Sequence, residues 1–233
     1  MGRTTGRTSG PRRTVLAFVG VVVGLLLSAC SMHPGYAAVV GDQKITEGNV
    51  DDVANALCAV QGSSGQAQQA LATRAARQGA LDVLISSELS RQFGKSQGVT
   101  PDQEQVSAAL KANEQNISGL PEKHRQVFTD TLRGYAEGQL MLADIGRKSL
   151  SSQGKSNVTD QQAVSEGTTL RNQWAEKHAD VSVDPRYGDY VKGALLSKSG
   201  SLSVAESQQA TDGDSPDPSQ GWIASLPASQ KCS

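Results

Sequence analysis

Three cysteines and three histidines are the side chains with the most reactive chemistry to offer in this sequence. The histidines, His33, His124 and His178, are scattered, and no pair has metal-ligand spacing. Glu122-Lys123-His124-Arg125 gathers an acid, a base and an imidazole, but it reads as the solvated first turn of a helix rather than a catalytic cluster. Serines are abundant, yet none sits in a Gly-x-Ser-x-Gly elbow, and no glycine-rich loop follows a strand to cradle a phosphate. Catalysis therefore has no positive support, and no cofactor or nucleotide is implied. The cysteines remain.

Cys30 closes the stretch Leu27-Ser28-Ala29-Cys30. Ahead of it lie a basic leader with Arg3, Arg7, Arg12 and Arg13 and no acidic residue, then an unbroken run of apolar residues and glycine from Val15 to Leu27. That run has the length of a signal-peptide core and is short for a bilayer span. The pattern resembles a bacterial lipobox. The resemblance implies cleavage between Ala29 and Cys30, a diacylglyceryl thioether on Cys30, and a lipid bilayer as partner. A plain secretory signal with a cysteine nearby is the alternative, and Arg12-Arg13 leaves the export route open. Cys58 and Cys232 are then left in a disulfide-permissive compartment. A bridge between them would tie the tail to the first helix, but Cys58 reads equally well as a buried apolar residue.

Composition narrows the rest. Removal of residues 1–29 would leave 204 residues, with 18 basic against 23 acidic side chains, about −5. That size suits one domain with extensions. The charge gives no electrostatic footprint for nucleic acid and no basic patch for anionic lipid. With three Phe, two Trp and four Tyr, a core has to come from aliphatic residues and alanine, which suits packed helices.

The elements that would position these side chains follow from local signals. Ala37-Ala38-Val39-Val40, ended by Gly41-Asp42, reads as a strand and a tight turn. A β-branched residue, Thr and an acidic or Pro-acidic start recur at Ile45-Thr46-Glu47, Val99-Thr100-Pro101-Asp102 and Val158-Thr159-Asp160. Each predicts a helix start with Thr as cap, and Gln103 and Gln162 would complete capping boxes in the second and third. A helix is predicted over about 67–97, with Leu81, Leu84, Ile85, Leu89 and Phe93 inward and Arg74, Arg77, Glu88 and Arg91 solvated. A shorter stripe holds Val106, Ala109, Leu110 and Ile117. A long helix from Pro121 to about Leu150 turns Phe128, Leu132, Tyr135, Leu142 and Ile145 inward, and its Gly134 and Gly138 would let another backbone approach. A last helix runs from Thr159 to about His178. Val181-Ser182-Val183-Asp184 then alternates as a strand, stopped by Pro185, and is the expected partner of residues 37–40.

Two of these segments carry a family likeness. Ala37-Ala38-Val39-Val40-Gly41-Asp42-Gln43-Lys44-Ile45-Thr46-Glu47 resembles the opening of SurA-type and PrsA-type extracytoplasmic chaperone domains, and Val181-Ser182-Val183-Asp184-Pro185-Arg186-Tyr187-Gly188 resembles their returning strand, especially the versions on high-GC Gram-positive lipoproteins. Many relatives insert a parvulin-type prolyl isomerase domain before the closing segment; here the last helix meets the strand at residues 179–181, so the resemblance implies the chaperone module without it.

The expected fold is mainly α, a multi-helix domain closed by a short two-stranded β pairing of its N- and C-terminal segments. Its expected layout is a lipoprotein signal peptide over 1–29, a lipidated tether over 30–36, a helical domain over 37–190 and a disordered Ser-rich tail over 191–233. The resemblance implies a non-catalytic holdase, anchored on the outer face of a bacterial cytoplasmic membrane through Cys30 and binding unfolded or secreted polypeptides. Phe93, Phe128, Tyr135 and Trp174 are candidate groove residues by their size. The alternatives are an adaptor lipoprotein with one fixed envelope partner and a degenerate prolyl isomerase.

Overall fold

The computed structural model describes residues 1–2, 35–63, 71–196, 207–215 and 218–232. The chain divides into two units, Met1–Pro34 and Gly35–Ser233. The basic leader, the apolar run and Cys30 lie in 3–34, outside the described residues, and everything below concerns the second unit.

That unit starts with β1 (Tyr36–Val40) and β2 (Gln43–Thr46), joined by the tight turn at Gly41-Asp42, where Gly41 has a φ of 58°. Four helices follow: α1 (Glu47–Ser63), α2 (Thr73–Ser96), α3 (Gln103–Ala112) and the single-turn α4 (Glu114–Gly119). The long α5 (Glu122–Ser152) and α6 (Asp160–His178) then lie against each other, and β3 (Val181–Val183) returns to the sheet. A separate hairpin of β4 (Asp189–Val191) and β5 (Ala194–Leu196) comes next. Two short helices, α7 (Gln208–Asp214) and α8 (Gln220–Ser225), and a 3-10 turn at Ala228–Gln230 complete the described chain.

The mainly helical character stands, but the two-stranded closure is corrected. The sheet is three-stranded and open, in the order β2-β1-β3, with β1 in the middle and both outer strands unclosed. Val40 faces both Gln43 and Val181, and Ala38 faces both Ile45 and Val183. The cause is the Gly41-Asp42 turn, which folds Gln43–Thr46 back onto β1. In sequence those four residues are too short and too polar to announce a strand. Only Ile45 among them is buried. The chain also continues past β3 into structured segments, so the pairing of its ends does not close it.

Local chemistry sets the helix ends. Thr46 and Asn49 exchange reciprocal bonds at the start of α1, the Thr46 N–H donating to Asn49 Oδ1 and the Asn49 N–H to Thr46 Oγ1. Thr159 and Gln162 form a capping box on α6. The start of α3 differs from expectation: Asp102, not Thr100, is the cap, its carboxylate accepting the Glu104 and Gln105 N–H groups. Pro101 makes that shift natural, because it holds the preceding residue extended. The side-chain bond from Gln105, then the two backbone bonds, hold the Asp102 carboxyl below its ordinary value. Gly98 and Gly154, both at positive φ, end α2 and α5. Val99 N–H returns to Gly94 O and Gly98 N–H to Lys95 O, and the same pair of bonds recurs around Gly154.

The core forms where β1 meets α1 and α2. Leu81, Ile85, Leu89 and Phe93 repeat every fourth residue and make the buried stripe of α2; the first three pack with Ala37, Ala38, Val40, Val50 and Val53, and Phe93 with Leu142 and Ile145. α5 and α6 approach closely because glycine permits it. A Cβ on Gly146 would overlap the Ala163 carbonyl, and one on Gly167 would overlap the Leu142 carbonyl. Of the two glycines singled out in sequence, Gly138 faces Ser90, with 3.0 Å from an ideal Cβ to the serine Cβ, whereas Gly134 faces open space.

Within the expected disordered tail over 191–233, the described residues 191–196, 207–215 and 218–232 include regular elements. β5, α7 and α8 lie within it, and the expected domain boundary at residue 190 falls inside β4. Its serines act as caps: Ser207 accepts the Ala210 N–H and Ser219 the Trp222 N–H. Low hydropathy concealed structure that rests on a few anchors.

Candidate functional site

The first polar cluster joins the two segments that carried the family likeness. Glu47, at the start of α1, accepts from Arg77 Nη2 at 2.8 Å, from the Tyr187 hydroxyl at 2.6 Å and from Arg186 Nη2 at 2.7 Å. Arg77 also donates to the Tyr187 hydroxyl and pairs with Asp51 at 2.6 Å, while its guanidinium lies over the Tyr187 ring. Gln78 donates to the Tyr187 carbonyl, and Asp184 grips Arg186 from the same turn. Burial, and then the bond to Glu47, push the Tyr187 phenol above its ordinary value. The Arg186 bond lowers the Asp184 carboxyl, and the same bond raises the Arg186 guanidinium. Every acid here is matched to a donor within hydrogen-bond reach, so the cluster is a clasp between β3's exit, α1 and α2. Arg77 was expected to be solvated; it is the centre of this clasp.

A second buried cation sits on α6. Arg171 is 4% exposed and donates to Ser86 Oγ at 2.8 Å, to Ser90 Oγ at 3.3 Å and twice to Asn172 Oδ1. Its partners are neutral, and burial lowers its pKa. The β4–β5 hairpin covers this region: a Cβ on Gly193 would overlap the Asn172 side chain, and the neighbouring Tyr190 hydroxyl is buried without a hydrogen bond. Burial also raises the Tyr190 phenol.

The concave feature with an apolar floor is a cavity of about 240 Å³ between β2, α1, α2 and α5. Ile45, Leu84 and Gly134 give it apolar walls, and Lys44, Arg91 and Asp130 stand among its polar lining. The Ser87 hydroxyl, also in the lining, is buried with no partner. Glu88 was expected to be solvated, but it is buried beside this cavity and bonded to Arg91 and Gln92. A wider hollow of about 850 Å³ at the α5–α6 turn is polar and shallow, lined by Lys155, Gln161 and Glu166 among others. Among the described residues no group of three or more His, Cys, Asp or Glu side chains is placed to hold a metal ion.

Of the four candidate groove residues, Phe93 and Trp174 are brought together. Phe93 is buried, and Trp174 is half-buried against it at 5.7 Å between ring centroids and stacked on His178 at 5.5 Å. Phe128 is half-buried on α5. Tyr135, expected inward, is 43% exposed and follows Gly134 of the cavity wall.

Cys58 and Cys232, whose pairing the sequence leaves open, are joined in a disulfide with Cα atoms 5.1 Å apart across 174 positions. Closing a loop of that length removes about 5 kcal/mol of chain entropy from the unfolded state in the simplest treatment. The sequence reading also gives the chain a bilayer partner through acylated Cys30 and a place on the outer face of a cytoplasmic membrane. Both are corrected. The cysteine chemistry that the structure places is the Cys58–Cys232 disulfide, and no helix among the described residues is long and apolar enough to cross a membrane. The bond takes the two cysteines outside the Leu27-Ser28-Ala29-Cys30 stretch. Cys30 itself is outside the described residues.

The fold thus defines a mainly helical scaffold whose opening segment is clasped to its returning strand. Comparison with protein families gives its kind: the SurA-like N-terminal domain family matches residues 13–133, just over half of the sequence, and the chain belongs to it. The match includes β1 to α4 and the first part of α5, and leaves α6, β3 and the Arg186–Tyr187 turn beyond its end. Neither the curated proteins nor the solved structures gave a match.

Proposed function

We propose that this chain is a holdase-type chaperone module that binds exposed apolar or aromatic segments of unfolded polypeptides without catalysis. Family membership carries the reading, because the domain that matches is the SurA-like N-terminal one. The architecture supports it. The cavity of about 240 Å³ is smaller than the ~300–1,000 Å³ of small-molecule sites and suits a single side chain. Tyr135, which follows Gly134 of the cavity wall in sequence, offers an exposed aromatic surface. Recognition of this sort is by shape and apolar contact, with backbone hydrogen bonds added where the bound segment is extended.

The test is light scattering from a chemically denatured client diluted into buffer with the full chain. Suppression of aggregation without nucleotide is expected, weakened by Tyr135→Ser, whose exposed position leaves the core alone. Unchanged aggregation at several-fold molar excess of the chain would sink the proposal.

A further inference from the structure

The C-terminal segment shows what one face of the domain accepts. Residues 218–232 lie on the start of α2 and make two kinds of contact. Ile223 and Leu226, both buried, pack with Ala72, and Trp222 and Ala75 complete the cluster. The backbone then runs antiparallel to residues 71–72, Lys231 bridging to Ala72 and the Cys232 N–H donating to the Leu71 carbonyl at 2.8 Å. α7 supports the arrangement: Gly213 lies under the Trp222 ring, the indole N–H donates to the Gln209 carbonyl, and Arg74 donates to the Gly213 carbonyl. An aromatic-aliphatic turn followed by an extended residue is thus recognised by apolar contact and backbone pairing, and neither is specific to this chain. A second observation concerns attachment. Cys232 follows the bridging Lys231, and its bond to Cys58 is a covalent tie that holds the segment down.

We propose that the surface formed by Leu71, Ala72 and Ala75 is a peptide-docking site, occupied in cis by residues 218–232 and opened by reduction of the Cys58–Cys232 disulfide. Opening is a thiol–disulfide exchange with a dithiol reductant. The reductant's two thiols become a disulfide, and their two electrons and two protons leave Cys58 and Cys232 as free thiols. The released segment remains tethered and competes at a high effective concentration, so the closed form is regained on reoxidation. An incoming segment would carry an aromatic next to an aliphatic residue in a helical turn, followed by an extended residue. That unfolded clients supply it rests on the chaperone reading above.

The probe is a fluorescein-labelled synthetic peptide of residues 218–231, read by anisotropy against the full chain. The expected result is at least tenfold tighter binding to the reduced Trp222→Ala/Leu226→Ala chain, whose own segment is weakened, than to the oxidised wild type. A peptide carrying the same two alanines should lose that binding. Equal binding to the two proteins, or by the two peptides, overturns the proposal. Hydrogen exchange on the wild-type chain covers the case of a variant that does not fold. Reduction should expose the amides of residues 71–76 at least tenfold while those of 81–93 stay protected; unchanged protection at 71–76, or loss throughout, overturns it. In the aggregation assay, excess peptide should relieve suppression by the reduced chain. Suppression that the peptide leaves untouched removes clients as the occupant while the chaperone reading stands; peptide binding without any suppression keeps the docking site and removes the chaperone reading.

Discussion

Three glycines on α5 offer the same substitution in three surroundings, and the packing assigns each a different sign. Replacing a helical glycine with alanine gains about 1 kcal/mol from backbone entropy and helix propensity. At Gly134 nothing lies within 4 Å of the new Cβ, so Gly134→Ala should keep that whole gain. At Gly138 the new Cβ meets the Ser90 Cβ at 3.0 Å, which calls for a shift of a few tenths of an ångström. Gly138→Ala should therefore be close to neutral. At Gly146 the obstacle is the α6 backbone itself, the Ala163 carbonyl and, at 2.7 Å, the Gly167 nitrogen. No rotamer relieves that overlap, so the helices must part and loosen the cluster of Phe93, Leu142 and Ile145. Overpacking of this kind costs about 1–3 kcal/mol or more, which outweighs the propensity gain. The propensity gain is common to both, so Gly134→Ala and Gly146→Ala should differ by the overpacking cost itself, about 1–3 kcal/mol, or roughly 0.5–1.5 M in urea midpoint for an m-value near 2 kcal/mol/M. Equilibrium unfolding followed by far-UV circular dichroism measures it. A Gly146→Ala midpoint at or above the wild type would refute the close crossing of α5 and α6.

The clasp and the buried arginine give three further expectations. Glu47→Ala removes the acceptor shared by Arg77, Arg186 and Tyr187, and should cost about 2 kcal/mol in urea unfolding, since Asp51 and Asp184 still hold the two arginines. Its effect should be non-additive with Tyr187→Phe by at least 0.5 kcal/mol or so, as expected for groups in one network. The pH dependence has a definite sign. The Tyr187 phenol is raised in the folded chain above its ordinary 10.0, so its contribution is complete below that pH and is lost as pH rises beyond it; Tyr187→Phe should flatten the fall in melting temperature above pH 10. Arg171→Met should be neutral or stabilising by about 1 kcal/mol, because it removes a desolvated cation whose partners are uncharged and Ser90 keeps its bond to the Ser86 carbonyl. Strong destabilisation by Met would show that the guanidinium organises this region.

What the sequence displayed was mostly local. The Thr159–Gln162 box, the fourfold repeat of Leu81, Ile85, Leu89 and Phe93, and the glycine exit at Gly98 each depend on residues within a single helix and its ends, and each is legible as a pattern. The misreadings share the opposite property. Arg77 and Glu88 look solvated on a helical wheel, yet Arg77 meets Tyr187 from 110 positions away, and Glu88 is covered by elements that the wheel does not contain. Gly146 and Gly167 carried no signal, since a glycine in a helix announces flexibility as readily as a crossing. β2 was hidden because its strand character comes from the Gly41-Asp42 turn, not from its own composition. The candidate site was the least legible part. Size selected Phe93 and Trp174, and large aromatic residues in a chain with few of them are claimed first by the core.

The same distinction bears on where function resides. The residues that made the chain resemble a family are spent on one another: Glu47 from the opening segment binds Arg186 and Tyr187 from the returning one. A side chain whose donors and acceptors are all taken within the fold has nothing left for a ligand, so such a motif identifies a scaffold and is silent on what the scaffold holds. Binding has to be sought where polar valence or apolar surface is satisfied incompletely or only provisionally. The unpartnered Ser87 hydroxyl beside an open glycine is one such place. The apolar start of α2, covered by a segment held through a bond that a reductant can open, is the other. Of the two, the second carries its own specimen of the ligand.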